Sequence, residues 1–343
     1  MNDVTVLVTG GTGFLAGHCI AQLVRDGYRV RFTVRSVDKA REAQRSVAAA
    51  GASTGSLTFA VADLTADANW AEAMAGCDYV LHMASPLPHR VLATAGDVIS
   101  PVREGTLRVL RTARDAGVRR VVLTSSFAAI GYGYPKNTTR VFTERDWTRE
   151  ESLSVPPYVR SKTIAERAAW DFAEREGGME LAVINPVGIF GPVLGPRLPG
   201  SVGIIKAMLQ GEVPRTPRLW TSVVDVRDVA DLHVRAMTSP KSVGERFLAT
   251  AGDAVSFHHI AQTLRDRLGD EARHVPARDM SSSYVRAMAP FVPALRQFRR
   301  NLDVIRHTDN SKARDVLGWA PRSSEDAVTA TARSLLDLGL IGE

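Results

Sequence analysis

Val4-Thr5-Val6-Leu7-Val8 is a β-branched and aliphatic run that breaks at Thr9-Gly10-Gly11-Thr12-Gly13, and apolar residues then recur at helical spacing to about Arg25. Further short strand-like runs follow at Tyr28 to Val34, Leu57 to Val61, Tyr79 to His82, Val121 to Thr124, Leu181 to Ile184 and Phe247 to Thr250. Stretches of helical period separate them, among them Pro101 to Ala116 and a segment opening at Tyr158 behind Pro156-Pro157, a pair suited to a first helical turn. Nearly continuous apolar runs are what a sheet buried on both faces requires. The alternation therefore predicts an α/β fold, a Rossmann-type doubly wound parallel sheet with a smaller, mixed C-terminal region.

Composition narrows the picture. With 343 residues, 45% hydrophobic and 23% charged, the chain can bury a large core. No apolar run approaches the ~20 residues of a membrane span, and Met1-Asn2-Asp3 leads directly into a strand-like run without a signal peptide, so the expected location is cytoplasmic. Cys19 and Cys77 show no paired spacing and read as small core residues. The formal charge of +6 comes from arginines spread along the chain, which argues against nucleic acid and leaves part of the positive charge for a polyanionic cofactor. His258, His259 and His307 have no carboxylate at ligand spacing and read as capping or surface residues, with no metal expected.

The strand, glycine turn and helix at the N-terminus form a phosphate cradle. Gly10 and Gly13 let the backbone turn tightly, Ala16 is the third small position, and Thr12, Phe14 and Leu15 place N–H groups at the helix start. At the tip of the second strand stand Val34 and Arg35 rather than an acid. Arg35 and Lys39 thus suit a 2′-phosphate, which favours NADP(H) over NAD(H). In a parallel sheet, ligands lie outside the carboxyl ends of the strands, where Asp63, Leu64, Met83, Ala84, Ser85 and the pair Ser125-Ser126 fall. Asp63 either holds the adenine or caps a turn.

Tyr158 and Lys162 stand four residues apart, on one face of a helix. A neighbouring ammonium favours the phenolate, so Lys162 is expected to lower the Tyr158 pKa from its usual ~10. Chance alone supplies about 0.1 such pair in this composition, so the pair matters only with its surroundings. A serine hydroxyl that holds a carbonyl oxygen, a tyrosine that protonates it and a lysine behind the tyrosine make one reduction site.

The stretches TGGTGFLAGH, RFTVRS, ADL, HMASP, VVLTSS, YVRSK, NPVGIFGP and VVDVRDVADLHVRAM, in this order and over nearly all the chain, resemble the extended short-chain dehydrogenase/reductases. The resemblance is to the dihydroflavonol-4-reductase and bacterial or fungal aldehyde/ketone reductase branch. It implies hydride delivery from NADPH, selects Ser126 beside Tyr158 and Lys162 as catalytic, and puts Pro186, Val187 and Ser201 beside the cofactor. Two positions depart from the pattern. Gly131 stands where flavonoid reductases carry a substrate-orienting asparagine, and Arg108 where the family often has a water-relaying asparagine.

The expected organisation is a cofactor domain over residues 1–185, rejoined by 220–250, a substrate-binding region over 186–219 and 251–322, and a C-terminal helix over 323–343. The Pro- and Gly-rich stretch from Pro186 to Gly200, followed by a helical run Val202 to Leu209, reads as a binding loop. Tyr284 to Pro293 supplies either core or the lining of a hydrophobic pocket, and Asp228 reads as a helix cap. The function expected is NADPH-dependent reduction of a small, hydrophobic or aromatic carbonyl compound by a monomer or homodimer. The alternatives are a nucleotide-sugar epimerase or dehydratase and a non-catalytic cofactor sensor.

Overall fold

In the computed structural model, which describes residues 3–86, 95–296 and 298–342, the apolar runs form one sheet of seven parallel strands. These are β1 (Thr5–Val8), β2 (Arg29–Val34), β3 (Thr58–Val61), β4 (Tyr79–His82), β5 (Arg120–Thr124), β6 (Glu180–Pro186) and β7 (Arg246–Ala249). Their order is β7-β6-β5-β4-β1-β2-β3, the doubly wound α/β arrangement that the sequence predicts. Val6 faces Val30 of β2 on one side and Tyr79 of β4 on the other, so the direction of winding reverses at β1. That reversal opens a crevice at the carboxyl ends of β1 and β4.

The central strands are mostly apolar because both of their faces are covered, whereas the edge strand β3 is partly exposed. Every residue of β4 and β7 is buried, and β5 and β6 are buried at all but one end position. On one face, α1 (Phe14–Arg25) and a helix over Val226–Thr238 bring Ile20, Leu23, Val229 and Ala236 against Phe32 and Ala182. On the other, α2 (Ala95–Asp115) and α3 (Pro157–Glu176) set Val109, Leu110 and Ala169 against Val80, Val121 and Val183. Each fully buried Val or Leu side chain contributes ~1.5–3 kcal/mol, enough in sum to fix the strand ends as a rigid base.

A further apolar cluster joins Val202 and Ile205, Ile260 and Leu264, and Val328 and Leu335, from helices Gly200–Leu209, Phe257–Leu268 and Ser324–Asp337. Strand Val223–Asp225 pairs in parallel with Gly188–Phe190 and ties this cluster to the end of β6. The cap of helix Val226–Thr238 is Asp225, whose Oδ1 accepts from Arg227 N at 2.8 Å, and not Asp228 as the sequence suggests. Asp228 lies one turn further in and faces the C-terminal segment, where it takes the Arg322 backbone N–H at 2.7 Å and the Arg322 guanidinium. Tyr284 to Pro293 also differs from one of its two expectations. Val285 and Ala289 are fully buried, Val285 packs with Leu219 and Leu302 in a satellite core, and Tyr284 and Phe291 are exposed. Cys19 and Cys77 are buried thiols. Among the described residues, no helix is long and apolar enough to cross a membrane.

Candidate active site

The glycine turn after β1 is built for a close-approaching anion. Gly10 has φ +73°, and a Cβ there would sit 3.1 Å from that of Ala84; a Cβ on Gly13 would sit 3.1 Å from Gly10 O. Gly11 N donates to Thr33 O at 2.8 Å and Gly10 N to Thr33 Oγ1 at 3.0 Å, which pins the turn to β2. Helix α1 then begins at Phe14 with no side-chain cap and no acid in its first turn, so its leading N–H groups are open to a phosphate. Leu15 is buried, Phe14 packs edge-on against His18 with centroids 5.6 Å apart, and Thr12 is half-buried in the turn.

The end of β4 closes the other side of the crevice. Thr9 Oγ1 accepts from both Met83 N and Ala84 N at 3.0 Å and bonds His82 Nδ1 at 2.9 Å. Ser85 Oγ and His82 Nε2 are buried without a partner among the described residues. A buried polar atom left unpaired costs ~1–3 kcal/mol, and in a crevice beside a glycine turn such atoms fit a dinucleotide that would complete them.

At the tip of β2, Arg35 is exposed and makes no ion pair among the described residues. Asp63 accepts from Thr65 N at 2.8 Å and Thr65 Oγ1 at 2.7 Å, both through Oδ1. These bonds hold its carboxyl below the usual range, with Arg35 and Arg108 adding to the effect. Asp63 thus serves the turn here. Lys39 is engaged by Glu42 at 2.6 Å, and Arg197 reaches the same carboxylate at 3.1 Å, so a 2′-phosphate at this tip would meet Arg35 first. Leu64 is buried, and its carbonyl takes the guanidinium of Arg108, which also pairs with Asp67. Arg108 therefore clamps the loop after β3 and is absent from the cavity described below. Ser201 donates to Ile189 O at 2.5 Å in the first turn of its helix and is not among the residues lining that cavity.

Ser126 and Tyr158 line one cavity of about 260 Å³ together with Phe127, Tyr132, Pro186 and Val187. Ser126 caps the short 3₁₀ turn Phe127–Ala129, its Oγ accepting from Ala128 N at 3.1 Å, while Asn185 Nδ2 holds its carbonyl at 3.2 Å. Tyr158 stands in the first turn of α3, with Pro156 as the capping position and Pro157 at the first helical one. The residue is 42% exposed, and its hydroxyl lies within the influence of Ser126 and Tyr132. Burial pushes the phenol up and outweighs the Ser126 hydroxyl, which favours the phenolate. The sequence expectation of a lowered Tyr158 pKa is thereby corrected: the charge of Lys162 is legible in the chain, whereas desolvation is not. Burial instead lowers Lys162 to about 8, with Glu166 acting against it. His82 is held at about 3, first by burial and then by Lys162.

Sequence reasoning missed Glu166, although it continues the Tyr158, Lys162 spacing by four residues. This carboxylate is fully buried and accepts from Ser125 Oγ, from Asn185 Nδ2 at 2.7 Å and from Arg246 Nε at 2.6 Å. Arg246 is 8% exposed at its side chain, donates to Glu144 O at 2.8 Å and Asp146 O at 3.0 Å, and lies 3.7 Å over the Trp147 ring. Tyr132, Trp220 and Arg306 at the cavity were also missed, since nothing local in the sequence links them.

Gly131 has a physical reason to lack a side chain. A Cβ there would lie 2.2 Å from the ring of Phe127, so an asparagine cannot occupy the position while Phe127 lines the cavity. The three histidines do have carboxylates, supplied from elsewhere in the fold: His258 with Asp279 at 2.9 Å, His259 with Glu325 at 2.6 Å and His307 with Asp253 at 2.7 Å. Each is one histidine against one acid, which ties surface segments together.

The profile of the NAD dependent epimerase/dehydratase family matches residues 6–249. The chain is 34% identical to the ketoreductase AzaE of Aspergillus niger, with 97% of each chain covered. It is 32% identical to dihydroflavonol 4-reductase of Zea mays, over 77% of this chain and 74% of that one. The crystal structure of Gre2 from Candida albicans in complex with NADPH superposes with a TM-score of 0.79 at 26% identity, covering 98% of this chain and 99% of that one.

Proposed function

The chain belongs to the NAD dependent epimerase/dehydratase family, within the extended short-chain dehydrogenase/reductases, and from that premise we propose that it is an NADPH-dependent reductase of aldehyde or ketone carbonyls. The observation that carries this reading is the convergence of the Ser126 hydroxyl and the Tyr158 phenol on one cavity, in a sheet whose first strand leads into an uncapped helix start. NADPH, when bound, supplies the hydride. Gly10, Gly13 and the first turn of α1 would hold its pyrophosphate, Arg35 its 2′-phosphate, and Pro186 and Val187 would flank the nicotinamide. The names of the relatives, a ketoreductase, a dihydroflavonol 4-reductase and an NADPH complex, support the same reading.

The roles follow from the surroundings of each group. Ser126 donates its O–H to the substrate oxygen and orients it. Tyr158, kept protonated by burial, gives its proton to that oxygen as negative charge develops there. Lys162, behind the tyrosine on the same helix face, favours the phenolate left after transfer. Bond changes balance: the carbonyl carbon gains a hydride, the oxygen gains a proton, and Tyr158 is reprotonated from solvent. The same tyrosine and lysine would serve sugar epimerisation, but Arg35 with no acid at the β2 tip disfavours the retained NAD of such a reaction.

The test is cofactor consumption with aromatic aldehydes, aryl ketones and β-keto esters, using NADPH beside NADH, together with product analysis of UDP-sugars incubated with the protein. Turnover of carbonyl compounds with NADPH preferred is expected. Sugar epimerisation without any carbonyl turnover would overturn the reading.

A further inference from the structure

Among the described residues, the lining of the cavity that holds Ser126 and Tyr158 carries one formal charge. That charge is Arg306, and no Asp or Glu lines the cavity among the described residues. The neighbouring arginines show the contrast: Arg218 and Arg286 both pair with Asp303, at 3.1 and 2.8 Å. Arg306, only three residues further along, has no carboxylate partner among the described residues. Its Nε donates to Gly131 O at 3.1 Å, its Nη2 reaches Asn301 Oδ1 at 3.4 Å, and its Nη1 makes no hydrogen bond among the described residues. The guanidinium lies 4.3 Å from the centroid of the Tyr132 ring, which supports a cation without neutralising it.

The position is fixed. Asp303 has φ +60° and its carboxylate gathers Arg218, Arg286 and the hydroxyl of Ser282, the last at 2.7 Å, while its N–H donates to Arg218 O at 3.0 Å. This clamp fastens the segment carrying Arg306 to the segment carrying Trp220, another lining residue. Gly131 contributes its backbone carbonyl, which Arg306 Nε holds. A rigid, half-buried guanidinium with unused donors, beside an aromatic wall, suits a planar oxyanion, because Arg binds carboxylates through paired N–H donors. At about 260 Å³ the cavity lies just under the ~300–1,000 Å³ of pockets for drug-sized ligands, so its occupant is small.

We infer that Arg306 is a specificity residue that anchors a carboxylate on the substrate, so that the preferred substrates are small keto acids or aldehyde acids rather than neutral carbonyl compounds. This rests on the reductase reading above. The carboxylate is a spectator to the bond changes: the ketone or aldehyde carbon gains a hydride, its oxygen gains a proton, and the acid group leaves unaltered.

Two matched pairs test it: benzoylformate against methyl benzoylformate, and acetoacetate against ethyl acetoacetate, with kcat/KM measured for the intact protein and for Arg306→Gln and Arg306→Lys. A hydrogen bond to a charged group is worth ~10- to 100-fold, so at least one acid should exceed its ester by about tenfold or more. Arg306→Gln should collapse the acid-to-ester ratio towards one, and Arg306→Lys should keep part of it. Equal use of acid and ester by the intact protein, or a ratio that survives Arg306→Gln, overturns the inference. Turnover of the esters reports the reductase reading separately. Should no compound turn over, titration of benzoylformate against tryptophan fluorescence decides the anchor alone: weaker binding to Arg306→Gln supports it, and equal binding sinks it.

Discussion

Ser125 and Ser126 are adjacent in sequence and belong to different worlds. The hydroxyl of Ser125 donates into Glu166, which also holds Asn185 and Arg246 in the interior. The hydroxyl of Ser126 opens onto the cavity with Tyr158 and Arg306. In the interior set, opposite charges meet each other and most polar atoms are bonded within the protein. Asn185 Oδ1 and Arg246 Nη2 are the exceptions among the described residues. At the cavity, a phenol, a hydroxyl and a guanidinium share space with no acid among the described residues. The difference teaches where chemistry is possible: groups already satisfied by the fold hold it together, and groups left open in a concave site act on something else.

Substitutions on the two sides should therefore fail in different ways. On the cavity side, Tyr158→Phe removes the proton donor, and kcat should fall ~10²–10⁴-fold, equivalent to ~3–5 kcal/mol of barrier, with the melting temperature little altered. Steady-state kinetics and thermal denaturation on the same preparations separate these effects. Retention of most activity would refute the proton-donor role. On the interior side, Glu166→Gln leaves Arg246 charged and buried without its acid, which should cost ~3 kcal/mol or more of stability in chemical denaturation. A loss under ~1 kcal/mol would show that the pair is no more than a surface-like contact.

Glu166→Gln should also have a smaller, diagnostic effect on the pH profile. Burial lowers Lys162 to about 8 and Glu166 raises it, so neutralising Glu166 lowers Lys162 further. The cationic lysine would then be lost at a lower pH as alkalinity increases. The alkaline limb of kcat/KM should move to lower pH, whereas a merely structural role would leave its midpoint in place.

The fold was legible because its rules are local. β4 and β5 are apolar runs flanked by turns, the glycine turn announces itself by spacing, and Pro156-Pro157 mark the start of α3. The central pair of the candidate site was legible for the same reason, being four residues apart on that helix. What escaped depends on distant chain segments. Arg306 and Gly131 meet across 175 residues, and Glu166 and Arg246 across 80. The expected direction for Tyr158 failed because the sequence shows Lys162 four residues on and hides burial, which raises the phenol and outweighs the hydroxyl of Ser126. Asp228 was read as a cap for a related reason: its partner Arg322 lies 94 residues on, and the cap is the nearby Asp225.

Reduction with NADPH carrying deuterium at its transferable position tests the central claim most directly. The account predicts that the product alcohol, examined by mass spectrometry and NMR, carries one deuterium on the former carbonyl carbon, with the hydroxyl proton drawn from solvent. An alcohol without deuterium at that carbon, or cofactor that returns unchanged while a sugar is epimerised, would contradict it.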